Sequence, residues 1–329
     1  MFSPECSANA HLSSVSAAPD VQLKSVLVPF DFSEASRKPL RHALAIARHY
    51  GASFHLAYVV TPAVGFLIAG QSSLTLAGES AQRDMQQLKK ELLESGALTD
   101  LQHEFHLAEG NVWEQLERLV RENSIDAVVI GTHGRGALGK LLLGSVAEQV
   151  FRSANCLVLT VGPGSYQDAI VDGHRSVGPF LFATDFGPAS LRALPYAASF
   201  AQHFGARLIL LHVLPAAPIP EGFHWSTAGD VMKMRESARV YAHKQLEEIA
   251  SQYVPTALKP EYMAKFGIAS EQILLASHAL KSDLILMGLN RPADIGTASH
   301  TPWAVAYKVV CGARCPVLTV RNQTEPKEV

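Results

Sequence analysis

Residues Gly131 to Ser145 read Gly-Thr-His-Gly-Arg-Gly-Ala-Leu-Gly-Lys-Leu-Leu-Leu-Gly-Ser. They lie between an apolar run, Ala127 to Ile130, and an amphipathic segment that opens near Ser145. A loop with so few side chains lets backbone N–H groups approach an anion closely. The helix that follows adds unpaired N-terminal donors and the positive end of its dipole. The chemistry such a segment offers is the cradling of phosphate.

Three phosphate-binding patterns overlap on these residues. Gly134-x-Gly136-x-x-Gly139 matches a dinucleotide fingerprint, but that fingerprint belongs to a first strand-to-helix turn, with a carboxylate about 20 residues on to hold a ribose. Here an earlier strand–helix unit, Val26 to His49, precedes the loop, and Asn155 and Cys156 stand where the carboxylate is required. Gly134-x-x-x-x-Gly139-Lys140 matches most of a P-loop, but Leu141 replaces the Ser or Thr hydroxyl that ligates magnesium. The third pattern is complete: Gly131-x-x-Gly134, nine residues, then Gly144-Ser145.

That third pattern, with Val28-Pro29-Phe30-Asp31-Phe32-Ser33 after the first strand and Cys156-Leu-Val-Leu-Thr-Val161 at the last, resembles the universal stress protein family. The likeness extends along nearly the whole chain because the segments recur. Leu27 to Ser33 returns as Leu181 to Gly187, pairing Asp31 with Asp185. Ala47 to Ala52 returns as Ala201 to Ala206, Asp126 to Gly131 as Asp283 to Gly288, and Cys156 to Val161 as Cys315 to Val320. Four ordered matches at a nearly constant offset predict two homologous domains. The expected organisation is a disordered tail over 1–20, a first domain over 21–162, a linker over 163–178, a second domain over 179–322 and a short tail over 323–329.

Within each half, short apolar runs alternate with amphipathic stretches. Leu23–Pro29, Ser53–Val60, Gln102–Ala108, Ala127–Ile130 and Leu157–Val161 read as strands; Ala35–His49, Glu79–Gly96, Asn111–Asn123 and Ser145–Ser153 read as helices. Continuously apolar strands separated by helices predict an α/β fold: two tandem, doubly wound, mostly parallel five-stranded sheets with helices on both faces. The family resemblance adds a Rossmann-like form akin to the adenine nucleotide alpha hydrolases. In such sheets ligands lie beyond the carboxyl ends of the strands, where the strand order reverses.

The resemblance implies that the ligand is ATP, accompanied by Mg²⁺ or Mn²⁺ held mainly by phosphate oxygens and water. It implies that Asp31 binds the nucleoside, that the backbone around Val59 meets the adenine and that Pro29 shapes this pocket. Gly131, Gly134, Gly144, Ser145 and Val146 would line the phosphate path, with Arg135 and Lys140 placed to add positive charge. Each residue also has a structural reading. Ser145 with Glu148 forms a capping-box pattern, the glycines suit a tight strand–loop–helix connection, and Asp31 suits a turn.

The second half departs from the motif. Asp185 and Gly288 remain, but Arg291 and Pro292 follow Gly288, and Trp303 and Ala304 stand where Gly144 and Ser145 stand in the first half. This half is expected not to bind ATP in the same manner and to serve instead as a built-in partner of the first. The resemblance implies an intramolecular pseudo-dimer that can dimerise again and present surfaces to a protein partner.

Other classes are disfavoured. A formal charge of −2 without a basic cluster argues against nucleic acid, and no apolar stretch reaches the ~20 residues of a bilayer span. With 48% hydrophobic and 18% charged residues the chain has a globular composition. The first twenty residues lack the basic and apolar regions of a signal peptide, and the four cysteines follow no CxxC spacing, although Cys311 and Cys315 are near enough in sequence to meet. A cytoplasmic location is expected. No adenylation signature, carboxylate pair or nucleophile with an evident base is present, so catalysis beyond slow ATP hydrolysis is not expected. Two readings stand: an ATP-binding stress-response regulator, and a nucleotide-independent association module of the same fold.

Overall fold

The computed structural model describes residues 21–61, 71–132, 143–163, 176–216, 228–289 and 302–321. In the first half five strands, β1 (Ser25–Pro29), β2 (Ser53–Val60), β3 (His103–Glu109), β4 (Ala127–Gly131) and β5 (Leu157–Val161), alternate with helices α1 (Glu34–Tyr50), α2 (Gln71–Glu94), α3 (Val112–Glu122) and α4 (Ser145–Ser153). The second half repeats the sequence of elements: β6 (Phe180–Thr184), α5 (Pro188–His203), β7 (Leu208–Leu214), α6 (Ala228–Tyr253), β8 (Glu261–Phe266), α7 (Ala269–Leu280), β9 (Leu284–Leu289), α8 (Pro302–Gly312) and β10 (Val317–Arg321).

The central strands are Val-, Leu- and Ile-rich and buried along most of their length, as strands covered on both faces must be. Edge strand β3 instead alternates in exposure. Helix ends follow local chemistry. The Asn111 side chain accepts the Glu114 N–H at 3.2 Å to start α3, and α1 stops where Gly51 takes the left-handed conformation, φ 63°. Helix α2 begins at Gln71, well before the expected Glu79. Its counterpart α6 begins at Ala228.

Strand order within the first half is β3-β2-β1-β4-β5, all parallel, and the second half repeats it as β8-β7-β6-β9-β10. The two five-stranded units are continuous. β5 pairs antiparallel with β10, making one ten-stranded sheet with β3 and β8 at its edges. At this seam Leu159 faces Leu318. Buried Thr160 donates its hydroxyl to the Val317 carbonyl at 3.1 Å, and Thr319 donates to the Val158 carbonyl at 3.2 Å. The Arg321 guanidinium, also buried, donates to the Phe151 and Arg152 carbonyls at the end of α4. A cation there complements the negative end of the helix dipole.

Alternating residues feed two cores, one on each face. Val26, Val28, Phe54, Leu56, Phe180 and Phe182 pack beneath α1, α2, α5 and α6; Leu27, Ala57, Val128, Leu181 and Ile285 pack beneath α3, α4, α7 and α8. The repeated positions also meet between the halves. His49 stacks on Phe204 with ring centroids 4.2 Å apart, and Tyr50 lies 4.8 Å from His203.

The repeated aspartates serve the fold. Asp126 Oδ2 accepts the N–H groups of Lys24 (2.6 Å) and Ser25 (3.0 Å) where β1 begins, and Asp283 Oδ2 accepts the Gly178 N–H at 2.5 Å ahead of β6. Gly288 is likewise a packing residue, since a Cβ there would sit 2.2 Å from the Ala189 carbonyl oxygen at the start of α5. Its backbone neighbour cannot yield as a flexible side chain could. Gly288→Ala should therefore cost about 1–3 kcal/mol through overpacking. A denaturant titration in which that variant matches the wild-type midpoint would contradict this packing.

Cys156, Cys311 and Cys315 are all free thiols, so Cys311 and Cys315 form no disulfide despite their nearness in sequence. Burial pushes the Cys156 thiol up to about 12 and the Cys315 thiol up to about 11. Alkylation needs the thiolate. Both thiols should resist iodoacetamide at pH 8 in the folded protein and react only on unfolding, as peptide mass mapping would show.

Candidate functional site

The strand order decides where the first-half residues meet. After β1 the chain turns to β2 on one side, whereas β4 and β5 lie on the other, so the order reverses between β1 and β4. A crevice opens beyond the carboxyl ends at such a reversal. Asp31 follows the end of β1, and Gly131 ends β4, so these two flank it. Half-buried Pro29 pairs with Ala57 in register, which places Val59 two residues further on, at the same rim. Gly144, Ser145 and Val146 return to this rim at the start of α4.

The two ends of the segment that gives the motif its length are pinned together. Buried Thr132 donates its N–H to the Val161 carbonyl at 3.1 Å, and its own carbonyl accepts the Gly144 N–H at 2.8 Å. The chain thus leaves β4 and re-enters α4 at one place. Gly134, with His133, Arg135, Lys140 and Leu141, lies in 133–142, outside the described residues. In the second half, Arg291 and Pro292 also lie outside them.

Two of the structural readings can now be weighed. The capping box is not formed. The N-cap of α4 is Gly144, whose extended backbone (φ −60°, ψ 150°) carries no side-chain cap, and Ser145 is the first helical residue. Glu148 is engaged elsewhere, 3.0 Å from the Arg152 guanidinium. The pattern was one residue out of phase: a capping box needs Ser at the cap position itself. The N–H groups of this helix start therefore have no side-chain acceptor supplied by the cap, and Ser145 is exposed beside them.

The turn reading of Asp31 does hold. Its Oδ1 accepts the Ser33 N–H at 3.0 Å and the Ser33 hydroxyl at 2.5 Å, closing the β1–α1 connection. Asp185 repeats the arrangement, accepting from the Gly187 N–H at 2.9 Å and the Ser190 hydroxyl at 2.8 Å. Between Asp31 and Ser33, Phe32 adopts φ 59°, and Phe186 repeats it at 62°. A bulky residue in the left-handed region costs of order 1–3 kcal/mol and persists only when its surroundings fix it. Here Phe32 is held edge-on by Phe30 (centroids 5.1 Å apart) and Tyr58 (4.8 Å). This strained aromatic turn was invisible in the sequence pattern, although the repeat of Asp-Phe marked the position.

The sequence reading also passed over His55 and His106, neighbours from β2 and β3. Burial holds both imidazoles below the usual histidine range; the proximity of His106 lowers His55 further, and Glu104 opposes the shift in each. The available signal was a histidine on the inward face of an otherwise apolar strand.

The universal stress protein family profile matches this chain twice, over residues 22–162 and 177–321. A universal stress protein of Methanocaldococcus jannaschii is 32% identical over 142 residues, covering 42% of this chain and 81% of its own length. One from Mycolicibacterium smegmatis is 26% identical over 307 residues, covering 90% of this chain and 96% of its own. The crystal structure of a universal stress protein from Archaeoglobus fulgidus superposes over 92% of this chain and 99% of that one, with a TM-score of 0.63 at 18% identity, a likeness of fold. With the profile matched on both sides of the β5–β10 seam, the chain belongs to the universal stress protein family, as a member with two tandem domains and a place in the stress response.

Proposed function

We propose that the chain is an ATP-binding regulator of the stress response with one nucleotide site, in the first domain. The observation that carries this reading is the start of α4. It lacks a side-chain cap, presents an exposed Ser145, and follows a glycine-dense sequence beside the reversal of strand order. Unpaired N–H donors and the positive end of a helix dipole suit the triphosphate. In this reading Gly131, Gly134, Gly144, Ser145 and Val146 contact the phosphates, Asp31 the ribose, and the backbone at Val59 the adenine, with Pro29 behind it.

The donor set fits an anion and supplies little to a metal. Neutral N–H groups and a hydroxyl line the helix start, and Oδ1 of Asp31 is engaged in its turn. Mg²⁺ or Mn²⁺ would accordingly arrive with the nucleotide, coordinated by phosphate and water. The second domain is read as a non-equivalent partner. Helix α8 starts at Pro302, which has no N–H to donate, and Trp303 follows it. The protein would act in the cytoplasm, its two domains forming a pseudo-dimer across the β5–β10 seam, with ATP altering what the loop 133–142 offers to a protein partner.

A second reading, association independent of nucleotide, is favoured by the engagement of Asp31 Oδ1 and by the continuous sheet across both halves. Native mass spectrometry and calorimetric titration with ATP and Mg²⁺ separate the two, with one ATP per chain expected from the first and none at millimolar ATP from the second.

The backbone of Gly144 is in a region open to any residue, so a bulky side chain there obstructs the helix start without straining the chain. Gly144→Leu should weaken ATP at least a hundredfold while leaving the thermal midpoint within a few degrees. Unchanged affinity in a folded Gly144→Leu protein would remove the site from this location.

A further inference from the structure

At the opposite ends of the same strands, where β2 and β3 begin, three side chains converge on the face covered by α3. His55 and Glu104 are partners in the parallel register, and His106 follows Glu104 by two residues on the same face of the edge strand. His55 Nδ1 lies 3.0 Å from His106 Nε2, and Glu104 Oε2 lies 3.9 Å from the first nitrogen and 3.8 Å from the second. One ligand atom from each residue thus falls within a sphere of contact suited to a single small cation, all three within 4.8 Å of one another. His55 is buried, His106 is largely covered, and Glu104 is exposed toward solvent.

The hydrogen bonds behind the cluster settle which nitrogen of His55 faces it with a lone pair. Ser53 Oγ lies 3.1 Å from the Lys24 carbonyl, which has no proton to give, so the hydroxyl donates there. The same oxygen lies 3.1 Å from His55 Nε2. With its one proton committed, the serine accepts, and His55 carries its proton on Nε2. Nδ1 is then unprotonated and directed at His106 Nε2, which must be the donor. A carbonyl–hydroxyl–imidazole chain of this kind is the outer support that orients a metal-bound histidine. It rests on β1 and β2, which fix the buried ring before any ligand arrives.

We propose that His55 Nδ1, His106 Nε2 and a Glu104 carboxylate oxygen bind a divalent transition cation of the Zn²⁺ class, with water completing the coordination. Two imidazoles and one carboxylate select such an ion over Mg²⁺ or Ca²⁺, which take oxygen ligands. Tetrahedral bonds of roughly 2.0–2.2 Å place ligand atoms somewhat over 3 Å apart. The two nitrogens therefore open slightly, and Glu104, free to move at the surface, closes in. The cation takes the place of the His106 Nε2 proton, which passes to Nδ1 of the same ring, so both imidazoles stay neutral. The ion would tie edge strand β3 to β2, on the rim away from the proposed nucleotide crevice.

The test uses the full chain stripped with a chelator, titrated with Zn²⁺ against a chromophoric competitor, and with Co²⁺ to read the visible band of a tetrahedral site. Tight binding of one Zn²⁺ per chain is expected, with no competition from millimolar Mg²⁺. Glu104→Gln should weaken it at least tenfold, His106→Ala a hundredfold and Ser53→Ala about tenfold, the last through loss of ring orientation. Zn²⁺ should raise the thermal midpoint of the wild type more than that of Glu104→Gln, whose exposed side chain leaves the fold intact. The proposal is overturned if the wild type binds no Zn²⁺ at micromolar concentration, or if folded Glu104→Gln and His106→Ala bind with wild-type affinity and stoichiometry.

Discussion

The antiparallel pairing of β5 with β10 is the contact on which the architecture turns. Every other pairing in the sheet is parallel and lies within one repeat; this one joins the repeats and removes two sheet edges that would otherwise expose unpaired backbone groups. Its polar atoms are satisfied reciprocally, Thr160 serving the β10 backbone and Thr319 the β5 backbone. Each hydroxyl would be costly if buried alone. Arg321 extends the join by satisfying carbonyls at the end of α4, the helix whose opposite end forms part of the candidate nucleotide site.

From that join the two halves keep a common frame and differ at one helix start. Asp126 and Asp283 hold the entries to β1 and β6; Asp31 and Asp185 close the turns after them; Phe32 and Phe186 share the same left-handed backbone. What differs is the helix that follows the fourth strand. In the first half it starts at Gly144-Ser145 with its terminus uncapped, and in the second it starts at Pro302-Trp303. Under the function proposed above, a common scaffold with one altered helix start would divide ligand binding from support between the two domains.

The two candidate sites also draw on different properties of a parallel sheet. The nucleotide crevice depends on loops at the carboxyl ends, where strand reversal leaves room. The histidine cluster depends on register between an inner strand and an edge strand, where side chains two residues apart share a face and a neighbouring strand supplies the third group. Edge strand β3 tolerates Glu104 and His106 because it is covered less completely than β1 or β4.

The sequence by itself determined the fold class, the duplication and most element positions, because these follow from local periodicity and from repeats that survive in the order of residues. β2, β5 and α4 lie where the hydrophobic pattern put them. It also located the residues that gather at the β1/β4 rim, since the reversal rule converts strand order into proximity. Only the tertiary structure decided the rest. The fusion of two sheets into one depends on a pairing between residues some 160 apart, to which local pattern is blind. The capping box failed on a shift of a single residue that backbone angles alone reveal. Gly288, which reads equally as a ligand-facing or a packing glycine, became a packing residue only when the Ala189 backbone was found against it. His55 is separated in sequence from Glu104 and His106 by the whole of α2, and only the β2–β3 register makes them neighbours.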